Sequence, residues 1–302
     1  MLSIVVLGAA AGGGVPQWNC GCANCNSARS HHPELRATQA SIAISADGAH
    51  WFLVNASPDL RQQITATPQL HPKAGELRHS PIAGVILTNG EVDAVAGLLS
   101  LREGWPFKLY AHERVLSILA DNPIFNVLNP ALVERLPIAL DQPLEPSLPD
   151  GAPSGLAVTA FAAPGKTALF LEGRSADAEG DTVGLVITDK ATGQRLVFLA
   201  ACAAVTPSVA AHLAGAALVF FDGTLWRDDE MIAMGLSKKT GQRMGHIAMQ
   251  EAIPALAALA IDRRVFLHIN NSNPALRPGS PERRAAEAAG WRIPADGMEI
   301  LL

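Results

Sequence analysis

Charge and aromatic rings are both scarce in this chain. Charged residues make up 17% of its 302 positions and the net charge is −5. No basic stripe is available to neutralise phosphates, so nucleic acid is not an expected partner. One tyrosine, five tryptophans and nine phenylalanines leave no platform on which bases stack. No unbroken apolar run is long enough to span a bilayer, so no membrane partner is expected. The run Met1 to Gly8 has no positive residue ahead of its apolar stretch, unlike a secretory signal. Cysteine is limited to four residues, three clustered and Cys202 alone, a usage that suits a reducing compartment. The expected location is the cytoplasm.

What the chain does have is apolar mass and turns. Hydrophobic residues reach 49%, enough for a sizeable core, while 26 glycines and 21 prolines imply short elements. The cluster is Cys20-Gly21-Cys22-Ala23-Asn24-Cys25, a C-x-C-x-x-C spacing. Three thiolates so close can face one zinc at about 2.3 Å each, whereas a disulfide leaves one sulfur odd and strains a short loop. The expectation is a structural Zn2+, closed by a fourth ligand from a distant element.

Aliphatic runs predict strands at Leu2–Leu7, Ala40–Ser45, Trp51–Val54, Ile82–Leu87, Phe107–Ala111, Leu156–Ala162, Ala168–Leu171, Val183–Thr188, Leu196–Ala200, Ala217–Phe221, Val265–His268 and Met298–Leu302. Asp47-Gly48 marks a hairpin between the second and third. Helices are predicted at Leu60–Ile64 with Ser57 as N-cap and Pro58 in its first position, at Val92–Leu101, at Arg114–Leu119, after Pro207, at Ala248–Leu259 and at Pro281–Ala289. The glycines of Gly8–Gly14 do not follow the G-x-G-x-x-G spacing of a dinucleotide loop, and suit close backbone approach instead. Two sheets face to face with helices outside both is the layering that fits, an α/β four-layer αββα sandwich forming a single domain over residues 1–302.

Four segments place polar, metal-competent residues directly after buried strands: Thr88 to Leu98, Ala163 to Lys166, Asp222 to Thr224, and His268 to Pro274. Strand ends are where sites in such sheets gather. Each has an ordinary alternative: Asp93 can favour a helix dipole, Asp222 can serve a turn, His268 can be a core histidine, and Glu91 can be a solvated loop residue. The ordered set resembles the metallo-β-lactamase superfamily, with Asn89, Glu91 and Lys166 where histidines stand, and Asp93, Asp222 and His268 retained. Lys cannot ligate while charged, so one of the two metal positions of that fold is expected to be lost. The other keeps one imidazole and two carboxylates, a set whose hard oxygens make Fe(II) or Mn(II) plausible.

The resemblance is closer to the coenzyme PQQ synthesis protein B family, over essentially the whole chain. It rests on Gly12-Gly13-Gly14-Val15-Pro16-Gln17-Trp18-Asn19-Cys20-Gly21-Cys22, on Gly97 to Gly104, on Met244-Gly245-His246 and on His268-Ile269-Asn270-Asn271-Ser272-Asn273-Pro274. Ala94 stands where members commonly carry a histidine, so no role of that histidine transfers. The resemblance implies a part in making pyrroloquinoline quinone (PQQ) from a cross-linked Glu–Tyr unit. The implied reaction is hydroxylation of the tyrosine ring by a non-haem Fe2+ at Asp93, Asp222 and His268, with Glu91 as a further ligand and O2 as co-substrate. The alternative is a non-catalytic carrier that moves PQQ or its precursor towards the periplasm. His246 is expected as the fourth ligand of the zinc, with His31 or His32 behind it. Arg102, Lys166, Asn270, Asn271 and Asn273 are expected to hold the carboxylates of the small tyrosine-derived substrate. A homodimer and contact with other PQQ biosynthesis proteins complete the expected partners.

Overall fold

A computed structural model describes residues 1–302. The first half of the chain forms β1 (Ser3–Gly8), β2 (Ser41–Ser45), β3 (Trp51–Val54), β4 (Ile82–Ile86), β5 (Phe107–Ala111) and β6 (Val133–Pro137). The second half forms β7 (Pro143–Leu144), β8 (Leu156–Ala162), β9 (Val183–Asp189), β10 (Arg195–Leu199), β11 (Ala216–Asp222), β12 (Ile261–Leu267) and β13 (Trp291–Arg292). A last strand, β14 (Glu299–Leu301), returns to pair with β1. The result is two seven-stranded sheets, ordered β14-β1-β2-β3-β4-β5-β6 and β13-β12-β11-β10-β9-β8-β7.

Why these strands read as continuous apolar runs is visible in the packing. Alternate residues of a strand face opposite sides. In β1, Ile4 and Val6 enter the core between the sheets, while Val5 and Leu7 enter a separate core on the outer face. In β11, Leu218 and Phe220 face inward, and Val219 and Phe221 pack outward. Each sheet is therefore buried on both faces, as a parallel-rich sheet covered by helices requires.

The outer faces are covered by helices. Leu60 of α2 (Leu60–Ala66) and Val115 and Leu119 of α4 (Glu113–Asp121) cover the first sheet. Val209 and Leu213 of α5 (Pro207–Leu213), with Met249, Ala252 and Leu256 of α7 (Met249–Leu256), cover the second. The shorter α1 (Ala23–Ser30), α3 (Val92–Val95) and α6 (Glu230–Ala233) lie in the connections, and α8 (Pro281–Ala288) precedes β13. The four-layer αββα expectation holds. No helix is long and apolar enough to cross a membrane.

Local expectations fail where context overrides propensity. Residues Ala168–Leu171 form no strand. Leu169–Leu171 is a 3-10 turn with exposed Leu169 and Phe170. Val92–Leu101 splits into α3 and a 3-10 turn over Ala96–Leu101. The reason is Gly97, whose backbone nitrogen bonds Ala56 O at 2.8 Å, and where any Cβ would meet Ser57 O at 2.1 Å. Ser57 does not cap a helix starting at Pro58. The helix begins at Leu60, with Asp59 before it, and the Ser57 hydroxyl donates to Gln63 Oε1.

The Asp47-Gly48 hairpin forms as expected between β2 and β3, with Gly48 at a φ of 73°. Asp47 accepts hydrogen bonds from Ser45 Oγ and from the backbone of Ala49 and His50, and pairs with the His50 ring. Partial burial works against its charge, but these bonds outweigh it and hold the carboxyl down to about 2. A depressed carboxyl contributes stability above its unfolded value near ~4, and that contribution is lost as pH falls towards the folded value. Asp47→Ala should cost about 1 kcal/mol at pH 6 after allowance for solvent screening. In urea unfolding, the difference from the parent should shrink below about pH 4.

Candidate metal centres

Two clusters of metal-competent side chains are present, one at the ends of β11 and β12 and one at the start of α1. The first centre lies beyond β11 and β12. Asp222 ends β11 and is fully buried. Its two oxygens accept from four donors: Oδ1 from Thr224 N (3.0 Å) and Thr224 Oγ1 (2.7 Å), Oδ2 from Cys202 N (2.9 Å) and the His246 Nδ1 (2.8 Å). A carboxylate so engaged is held in one orientation. His268 follows β12 with a left-handed backbone, φ 59°. That conformation costs a non-glycine residue about 1–3 kcal/mol. It is sustained by Ile269 N bonding Ala9 O at 2.9 Å and Asn270 N bonding Thr224 O at 3.0 Å.

Thr224 organises both rings. Its hydroxyl proton goes to Asp222 Oδ1, which can only accept, so its oxygen accepts from His268 Nδ1 at 2.8 Å. The His246 Nδ1 is 3.1 Å from the same oxygen, and the two imidazoles stack with centroids 5.1 Å apart. On its other side, His268 Nε2 lies 2.8 Å from Asp93 Oδ2. Burial depresses the His268 ring, but the hydrogen bond and charge of Asp93 outweigh it, and its pKa is raised. Asp93 is shifted the other way: burial opposes its charge, and His268 prevails in lowering it. Gly12 approaches closely here, its missing Cβ position lying 3.4 Å from Asp93 Oδ2.

Asp222, His246 and His268 each bring one donor atom within 4.8 Å of the others. This corrects the expectation for His246, which does not face the cysteines. It sits beside Asp222 because Gly245, at a φ of 91°, turns the chain back, the His246 nitrogen bonding Gly241 O at 2.9 Å. Two imidazoles and a carboxylate, with Asp93 adjoining through His268, are nitrogen and oxygen donors suited to a divalent transition-metal ion. The chemistry of the donors fits such an ion.

Glu91 does not join them. Its carboxylate takes Lys166 Nζ at 3.0 Å and the Leu169 nitrogen at 3.0 and 3.1 Å. Lys166 also meets Glu172 at 3.1 Å, and Glu172 in turn pairs with Lys239 at 2.5 Å. Burial lowers the Lys166 pKa, yet Glu91 and Glu172 outweigh it and raise it, so the ammonium keeps its charge. An ion pair therefore stands in the region expected to have lost its metal. Asn89 is also turned inward on its own loop, accepting from Glu91 N at 3.0 Å.

The second centre is the thiol cluster. Cys20, Cys22 and Cys25 bring their sulfurs within 4.8 Å of one another. Beside them stands Asn271, its Nδ2 lying 3.1, 3.5 and 3.3 Å from the Sγ atoms of Cys20, Cys22 and Cys25. Asn271 was expected on substrate, but the loop after β12 turns it towards the thiols. Burial raises the Cys22 thiol, but hydrogen bonds from the Cys25 backbone, Cys20, Cys25 and Asn271 together lower it. Burial and the neighbouring Cys22 push Cys25 up to about 11. Three close sulfurs that cannot all ionise alone fit a zinc ion, which deprotonates its thiols on binding.

A cavity of about 770 Å³ opens over the first centre. Asp93, His246, His268, Lys166 and Asn270 line it, with Leu169 and Phe170 on its apolar side. Arg102 is outside it, exposed and 3.6 Å from Glu103. Asn273 is turned away as well, its Nδ2 bonding Gly223 O at 3.0 Å. Of the expected substrate residues, only Lys166 and Asn270 face the cavity.

Residues 50–269 match the beta-lactamase superfamily domain. The coenzyme PQQ synthesis protein B of Bradyrhizobium diazoefficiens is 66% identical, with 100% of each chain covered. That of Gluconacetobacter diazotrophicus is 54% identical over 99% of each. The chain belongs to the coenzyme PQQ synthesis protein B family. Its role is in PQQ biosynthesis. The zinc-bound PqqB of Methylobacterium extorquens is 50% identical, covers 99% of this chain and 100% of its own, and superposes with a TM-score of 0.93. A diphosphatase of the PhnP family, 19% identical with a TM-score of 0.70, covers 99% of this chain and 96% of its own, and shares the fold.

The sequence reading missed Thr224, the hydroxyl on which Asp222, His246 and His268 converge. The pattern Asp222-Gly223-Thr224 at a strand end was its one signal, an acceptor followed two residues later by a donor.

Proposed function

We propose that the chain hydroxylates the tyrosine-derived ring of a Glu–Tyr precursor of PQQ, using Fe(II) at the imidazole–carboxylate centre. The observation that carries this reading is the set of Asp222, His246 and His268 under one cavity, with Asp93 adjoining. An iron ion held there supplies the one-electron chemistry that dioxygen needs. The protein's own residues do the rest. Asp222 and Thr224 keep Nδ1 of His268 protonated, so that Nε2 faces Asp93. His268 must give up its Nε2 proton for a cation to be held, so metal uptake releases a proton. The apolar side at Leu169 and Phe170 suits the ring, while Lys166 stays paired with Glu91 and Glu172 at the cavity wall. Each hydroxylation would put one oxygen atom of O2 into the ring, and the other would leave as water with two electrons from a reductant and two protons.

In the same reading, Cys20, Cys22 and Cys25 would hold a structural Zn2+, with Asn271 beside the three sulfurs. A half-turn of its amide offers the oxygen as ligand, since the two ends of an amide are nearly alike in shape. Location in the cytoplasm and a single domain over residues 1–302 belong to this proposal too.

Protein loaded anaerobically with Fe(II), then given precursor and oxygen, should return a product heavier by one oxygen atom per hydroxylation. Mass spectrometry reads this directly. Tight, stoichiometric binding of the quinone with no mass change would instead make the chain a carrier.

A further inference from the structure

The two centres are joined by one short loop. His268 ends its run at the carboxylate centre, and three residues later Asn271 faces all three sulfurs. Asn24 lies within the thiol segment and is 3% exposed. Its Nδ2 donates to Asn271 O and to Asn273 O, both at 2.9 Å. Asn273 in turn donates to Gly223 O at 3.0 Å, the residue directly after Asp222. The loop is thus clamped to the thiol segment at Asn271 and Asn273, and it clamps the end of β11.

The strained His268 backbone sits at the start of this loop. Its left-handed φ persists only while its surroundings hold it. Neutral thiols are weak acceptors, so the contacts of 3.1 to 3.5 Å between Asn271 and the sulfurs hold little by themselves. With the sulfurs gathered on an ion, Asn271 has a fixed partner and the loop a fixed end.

We infer that the thiol centre positions the carboxylate centre, with Asn271 as the positioning residue between them. Zinc at Cys20, Cys22 and Cys25 tightens metal binding at His268, His246 and Asp222. This rests on the two-centre reading above. Supporting groups of this kind change metal affinity by about 10- to 100-fold when removed. Linkage makes the coupling reciprocal, so an ion at His268 must tighten zinc by the same factor.

Manganese(II) is the probe for the carboxylate centre, because a hard ion leaves thiolates to zinc. Its affinity is read from the electron paramagnetic resonance of free Mn(II), with metal content measured alongside. Zinc-loaded wild-type protein should bind Mn(II) about tenfold more tightly than the Asn271→Ala variant. Asn271→Asp keeps an oxygen in place and should recover most of the loss. In wild-type protein, saturating Mn(II) should raise zinc affinity, measured against a competing chelator, by the same factor by which zinc loading tightens Mn(II). This needs no variant and does not depend on how Asn271→Ala folds. If both metals bind and each ignores the other within about twofold, the coupling is wrong and the two-centre reading survives. If wild-type protein binds no zinc or no Mn(II), both are wrong.

Discussion

Cys22→Ser should strip the zinc and lower the melting temperature by about 6 °C. The expectation follows from linkage: an ion present at about 1,000 times its dissociation constant stabilises by about 4 kcal/mol. For a chain of this size, each kcal/mol is worth roughly 1.5 °C. Cys22 sits where the effect is largest, because its thiol caps α1 through Cys25 N and faces Asn271 as well. Metal analysis and a thermal scan check both halves. Full zinc occupancy with unchanged melting would remove the three cysteines from the account.

His246→Ala should keep the zinc and lose the metal of the carboxylate centre, with affinity falling at least about 100-fold, beyond the usual effect of removing a supporting group. This outcome separates the present assignment from one in which His246 closes the thiol site. The ring is bonded to Asp222 at 2.8 Å and stacks on His268, so its loss removes a donor and uncovers its neighbour. His268→Ala should fail in the same way, with zinc again retained. Asp222→Asn should weaken the same centre, because an amide cannot replace the anion that accepts four hydrogen bonds there. Zinc lost from His246→Ala would return that residue to the cysteines.

The strands were readable because burial on both faces leaves little room for polar residues. β1, β3 and β11 stand within a residue or two of their expected bounds. β6, by contrast, carries Glu134 and Arg135 at the rim of its sheet, and its apolar signal is broken by that exposure. β7 and β13 have two residues each, too short for any periodicity. At the site, strand ends pointed to Asp93, Asp222 and His268, because a polar residue after an aliphatic run stands out in one dimension. Pairings across the fold did not. Nothing in Gly245-His246 tells whether that ring turns to sulfur or to Asp222, and the resemblance favoured the wrong partner. Asn271 and Asn273 looked like a surface for carboxylates, yet one faces the thiols and the other ties down Gly223. Glu91 and Lys166, separated by 75 positions, cancel each other in a way no local pattern reveals.

The central claim is that the imidazole–carboxylate centre uses dioxygen to oxidise a ring. Isotopically labelled O2 tests it most directly, given to Fe(II)-loaded protein with precursor and a reductant in unlabelled water. Mass spectrometry should find the label in the product for wild-type protein, and no hydroxylated product for His268→Ala. Oxygen drawn from water, or product formed equally by His268→Ala, would contradict the account.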